Sequence, residues 1–139
     1  LIAVVIARLR TPQVFVNTAA RLISTRRASV LWSELDQADL VVTESARRRT
    51  VILLLRSGKA FRVPLVLRRS NERPLDERTR ELAAQVIRAS SIAMPVSKDD
   101  PTGSFARFNF PTSITKEEAL AVVESPPAFG DPLPIPPQR

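Results

Sequence analysis

Residues 50–67, TVILLLRSGKAFRVPLVL, constrain the fold more than any other stretch of the chain. Two apolar, β-prone runs flank Ser57-Gly58-Lys59, and the segment is fenced by Arg47-Arg48-Arg49 and Arg68-Arg69. Gly58 reaches the positive φ of a tight turn without steric cost, so the pattern predicts a β-hairpin with basic ends. The first half of the chain is therefore expected to be antiparallel β.

The residues before the hairpin fit that expectation. Residues 13–25, QVFVNTAARLIST, read as strand, turn and strand, with Val14 and Val16 on one face and Asn17-Thr18-Ala19-Ala20 turning the chain. A glycine would be the more natural residue in that turn. Ala28–Leu31 starts another strand with Trp32 near its end, and Ser33-Glu34-Leu35-Asp36 bends the chain. Ala38–Thr43 is the next strand, and Glu44–Arg49 reads as a polar loop leading into the hairpin. Short strands at this spacing indicate a curved antiparallel sheet or a partial barrel.

The period then changes. Asn71-Glu72-Arg73-Pro74 breaks the sheet, and Pro74 suits the first turn of a helix. Leu75, Thr79, Leu82, Val86 and Ile87 recur at helical spacing, with Glu77, Arg78, Glu81, Gln85 and Arg88 outside the stripe. An amphipathic helix over Leu75–Ala89 is expected to cap the sheet. Residues 93–125 follow as a Phe-rich arm and a short helix. Asp100-Pro101-Thr102-Gly103 marks a turn, and Phe105, Phe108 and Phe110 are expected to pack back on the sheet or the helix. Thr115-Lys116-Glu117-Glu118 is a capping box that starts a helix over Lys116–Glu124, with Ala119, Leu120 and Val123 facing inward. Residues 126–139 form a proline-rich tail, expected to be extended: a strap on the domain, or a ligand for an aromatic groove. With 139 residues this is one domain with a tail, large enough to bury roughly two thirds of its surface.

Composition limits the chemistry. The chain has no cysteine, histidine or tyrosine, which excludes disulfides, ordinary zinc sites, thiol nucleophiles and imidazole bases. Three glycines, at 58, 103 and 130, make no phosphate-cradling loop or dinucleotide fingerprint. The carboxylates Glu34, Asp36 and Asp39, and the pair Asp99-Asp100, lack a neighbouring nucleophile and suit turn chemistry. No enzyme activity, cofactor, metal or small-molecule substrate is expected.

Charge points to a partner. The net charge is +7, and residues 1–73 hold fourteen Lys/Arg against five Asp/Glu. Arg26-Arg27, Arg47-Arg48-Arg49 and Arg68-Arg69 fall at turns or strand ends, where two or three of these clusters can share one rim of the sheet. Such a rim suits an anionic membrane surface or an acidic partner. Nucleic acid is the weaker match, because stacking aromatics are scarce among the basic segments. Solvated loops would carry the same charges. At the N-terminus, the apolar run Leu1–Ala7 is stopped by Arg8 and Arg10. It is too short to span a bilayer, so residues 1–10 read either as the end of a membrane anchor with a basic flank or as a first strand.

Residues 14–67 resemble the PH-like domain of bacterial membrane-associated proteins. The likeness lies in the first strand pair, the step Trp32-Ser33-Glu34-Leu35, the next strand, and the long hairpin turning at Ser57-Gly58-Lys59. The helix over Leu75–Ala89 stands where that family has its barrel-capping helix. The residues depart from the family in having Ala19-Ala20 at a turn usually holding glycine, and five or six strands before the helix rather than seven. The region from Met94 onward resembles extensions of actinobacterial membrane proteins. The resemblance implies an α+β fold: residues 11–92 as a PH-like antiparallel sheet capped by a helix, followed by the arm, the short helix and the tail. It also implies a non-catalytic interaction module at the cytoplasmic face of a cell membrane. There the candidate contacts are Arg26, Arg27, Arg47, Arg48, Arg49, Arg68 and Arg69, for a membrane surface or a membrane protein. A nucleic-acid-binding protein in the cytoplasm and a structural subunit of a membrane complex are the alternatives.

Overall fold

The computed structural model describes residues 6–8, 14–69 and 75–136. The fold is α+β, with two antiparallel sheets that do not close into one barrel. The first is a meander of β1 (Ile6–Arg8), β2 (Phe15–Asn17), β3 (Leu22–Ser24) and β4 (Ser29–Leu31). The second contains β5 (Gln37–Ser45), β6 (Arg48–Ser57) and β7 (Phe61–Arg68). Its fourth strand, β8 (Ser113–Ile114), returns from far along the chain to the outer edge of β5, giving the order β7-β6-β5-β8. Ile6 and Ala7 are strand residues, so the reading as the end of a membrane helix does not extend to them. Residues 1–5 of that run, and the expected sheet break at Asn71–Pro74, lie outside the described residues.

Among the described residues seven strands precede the helix, not five or six, because β1 lies in the apolar run read either as the end of an anchor or as a first strand. The Glu44–Arg49 segment is not a polar loop. β5 and β6 run on through it, and only Ala46 and Arg47 turn, both at positive φ (51° and 61°). That is the signature of a type I′ hairpin turn, which normally uses Asn-Gly. A dipeptide of alanine and arginine carries no such signal. The turn between β2 and β3 likewise works without glycine: Asn17 Oδ1 accepts the Ala20 N–H at 2.9 Å, and Arg21 takes the left-handed conformation (φ 55°). Gly58 turns the β6–β7 hairpin at φ 60°, and its N–H donates to the Asp36 carboxylate at 3.3 Å.

The core lies between the inner faces of the sheets and two helices. Val51, Leu53 and Leu55 of β6 alternate inward, opposite Leu40 and Ala38 on one side and Leu65 and Val63 on the other. Trp32 is buried in a 3-10 turn (Trp32–Glu34) directly after β4, and its indole N–H donates to the Leu22 carbonyl at 3.1 Å. The capping helix α1 (Glu77–Ala89) begins at an Asp76 cap, two residues later than the apolar stripe suggests, because Asp76 accepts the Thr79 N–H at 2.8 Å. Leu82, Val86 and Ile87 face the core, as their spacing requires.

The arm differs from expectation. Its one-turn helix α2 (Ala106–Asn109) turns Ala106 inward and leaves Phe105 and Phe108 67% and 84% exposed, with Phe110 half-buried. The buried Asp100 carboxylate fixes this turn by accepting the N–H groups of Ser104 and Phe105 at 3.2 and 2.8 Å. Helix α3 (Lys116–Glu124) follows with its capping box formed, and it buries Ala119, Val122 and Val123 while Leu120 is only half-buried. Arg47→Gly is expected to stabilise the protein by about 0.5–1 kcal/mol, by relieving a left-handed arginine. Urea unfolding that gives no gain, or a loss, would count against the tight-turn geometry.

Candidate anion-binding groove

The seven arginines singled out by sequence divide between two ends of the second sheet. At the Gly58 end, the turn between β3 and β4 is held by the Thr25 hydroxyl, which accepts the N–H groups of Arg27 and Ala28 at 3.2 and 3.3 Å. The Ser24 and Ser29 hydroxyls close the turn's base at 2.6 Å. This rigid tip presents Arg26 and Arg27 to solvent. Across from it, β7 alternates Phe61 in, Arg62 out, Val63 in. The three guanidinium-bearing residues border a groove of about 510 Å³ whose apolar wall includes Val14, Phe61 and Pro64. β7 is the edge of its sheet, so the groove occupies the open seam between the two sheets.

Among the described residues, no carboxylate lines this groove. Among the described residues, no ion pair or hydrogen bond engages the guanidinium of Arg26, Arg27 or Arg62. Arg56, which stands opposite Arg62 across the ladder, is instead neutralised by Asp39 at 2.6 Å. The buried Asp39 also accepts from Ser113 Oγ at 2.6 Å and Gln37 Nε2 at 3.2 Å, which fastens β8 to β5. The groove therefore concentrates three unpaired fork-shaped cations, a geometry that matches carboxylate and phosphate oxygens.

The other end holds the remaining candidates, about 25 Å away along β6. Arg47 and Arg48 are exposed at the tight turn, and Arg69 lies just beyond β7. Arg49 and Arg68 do not face a partner. Arg49 is only 5% exposed and donates to the carbonyls of Ala128 (2.5 Å) and Asp131 (3.0 Å) and to Glu44 (3.2 Å). Arg68 donates to the Pro126 carbonyl at 3.1 Å. The seven arginines singled out by sequence thus form no single rim, and two of them latch the proline-rich tail as a strap. Arg62 is isolated in sequence, and the in-out alternation of Phe61-Arg62-Val63 is the one signal it carries.

The carboxylates serve structure. Asp36 and Asp100 hold turns, and among the described residues no group of three or more acidic side chains is placed to hold a metal ion. Glu118 joins the strap to α3 through Arg107, which bonds the Glu118 carboxylate at 2.5 Å and the Pro134 carbonyl at 2.8 Å. Burial alone would raise the Glu118 carboxyl, but hydrogen bonds from Arg107 and the Thr115 N–H, with the Arg107 charge, bring it below its ordinary value of 4.5. A lowered carboxylate stabilises fully above that ordinary value, and its contribution is lost as pH falls through the folded-state value.

No helix among the described residues is long and apolar enough to cross a membrane. Comparison with protein-family models, curated proteins and solved structures finds no match. Glu118→Gln is expected to cost about 1 kcal/mol at neutral pH and to flatten the fall in stability on the acid side. Denaturation midpoints from pH 7 down to pH 3 check both; an unchanged acid slope would remove Glu118 as its source.

Proposed function

We propose that the chain is a non-catalytic, PH-like interaction module at the cytoplasmic face of a membrane, holding an anionic headgroup in the groove between Arg26, Arg27 and Arg62. The observation that carries this reading is the convergence of three uncompensated guanidinium groups on one walled groove. The topology supports the PH-like part: four strands, then three, then a capping helix, with Trp32 buried in the turn between the two sheets. A binding role is favoured over catalysis because, among the described residues, the groove lining offers no carboxylate or imidazole as a general base. A headgroup is favoured over nucleic acid because Phe61, the aromatic ring of the lining, is buried and offers no face for base stacking.

Each groove arginine contributes about 1 kcal/mol near an anionic surface. Replacing all three by alanine is therefore expected to weaken binding to phosphatidylserine-containing vesicles roughly a hundredfold. Co-sedimentation with vesicles of phosphatidylcholine alone and with added phosphatidylserine provides the measurement. Binding that ignores phosphatidylserine content, or survives the triple substitution, would sink the headgroup reading.

A second reading rests on Phe105 and Phe108. Two phenylalanines exposed on one rigid helical turn are uncommon on a free surface and suit a protein partner. On this reading, Phe105→Ser with Phe108→Ser abolishes capture of a membrane-protein partner in a pull-down, and the arginine triple variant retains it. Equal capture by wild type and the phenylalanine variant would remove it.

A further inference from the structure

β6 turns its even-numbered residues away from the core, because strand residues alternate between faces and Val51, Leu53 and Leu55 point inward. Cross-strand partners share a face, so Ile52 stands beside Val41, and Leu54 beside Pro64, on the outer side. Val41 is 39% exposed and the other three are half-buried, which gives this outer face an apolar centre. Arg48 marks one end of the face and Arg62, opposite Arg56, marks the other, about 25 Å away at the rise of a strand. Thr43, Ser45 and Thr50 add hydroxyls around Arg48. Among the described residues, neither Arg48 nor Arg62 meets a carboxylate. The acids nearby are engaged, Asp39 by Arg56 at 2.6 Å and Glu44 by Arg49 at 3.2 Å.

We infer that this outer face of the second sheet lies against the anionic bilayer whose headgroup the groove holds; this rests on the headgroup reading and deepens it. Arg62 and Pro64 belong both to the groove and to the outer face, so the two surfaces are continuous. A lipid seated between Arg26, Arg27 and Arg62 therefore brings its bilayer against β7, then β6, then β5. The face has the composition that a membrane interface takes, with apolar side chains at the centre and cations and hydroxyls at the margins. Its uncompensated charge is positive at both ends. A small soluble anion satisfies one end alone, whereas an anionic bilayer presents charge to both and takes up the apolar side chains between them. This orientation puts α1 on the far side of the sheet, where Leu82, Val86 and Ile87 join the core on the inner face.

The chain contains no cysteine, so one introduced cysteine carries one label. The full chain with Val41→Cys, bearing a fluorophore, is expected to lose emission on binding phosphatidylserine vesicles that contain a nitroxide lipid. Gln85→Cys, exposed on α1, is expected to keep its emission under the same conditions. Two unlabelled variants at exposed positions test the contribution to affinity. Val41→Asp is expected to weaken vesicle binding roughly tenfold, and Arg48→Ala roughly fivefold. An unquenched label at Val41, or stronger quenching at Gln85, overturns the inference; where binding still depends on Arg26, Arg27 and Arg62, the headgroup reading stands without it. Unchanged binding by either V41D or R48A overturns it in the same way. Wild-type binding that ignores phosphatidylserine removes the headgroup reading and this inference together.

Discussion

An open pair of sheets has an inner face that must be covered, and that requirement shapes the rest of this molecule. β6 is the central strand, with Val51, Leu53 and Leu55 wholly removed from solvent and a paired neighbour on each side. Each such side chain contributes about 1.5–3 kcal/mol when fully buried, so the row commits the chain to covering it. Trp32 fills the approach from the first sheet, and α1 and α3 join the same core. Ile135 from the strap belongs to that core as well. The strap is thus part of the covering layer and not a loose appendage.

The basic residues follow from the same requirement. Where the strap crosses the end of the sheet, its carbonyls have no ladder partner, and buried carbonyls need donors. Arginine suits this task, because one planar guanidinium can reach several oxygens at once. Arg49, Arg68, Arg80 and Arg107 each serve a carbonyl of residues 124–134 in this way. Arg26, Arg27 and Arg62 serve none, and they meet at the seam left where β7 ends its sheet. The positive charge of the chain therefore has two uses, one structural and one available.

Most of the fold was legible because burial and periodicity coincide. The β6–β7 hairpin, the inward stripe of α1, the capping box of α3 and the strap all follow from local pattern. The failures have local causes too. Ala46-Arg47 turns without a turn signal, and β8 is two residues long, too short for any alternation to register. Phe105 and Phe108 were expected to be buried because phenylalanine prefers burial, but the Asp100-pinned turn and the inward Ala106 hold them outside. Of the groove, Arg26-Arg27 was visible as a doublet, whereas Arg62 carried no signal beyond a place on the polar face of a strand.

By itself the sequence determined an α+β chain, a basic first half, and a set of chemistries that lack their residues. Those properties are sums or short-range patterns, and they survive without knowing which segments meet. Only the tertiary structure decided which arginines remain free, since a guanidinium is committed or available according to what packs over it. Arg49 and Arg68 sit in the most conspicuous clusters and are spent on the chain's own carbonyls. Arg62 stands alone in sequence and reaches Arg26 and Arg27 because an edge strand and a distant turn border the same seam.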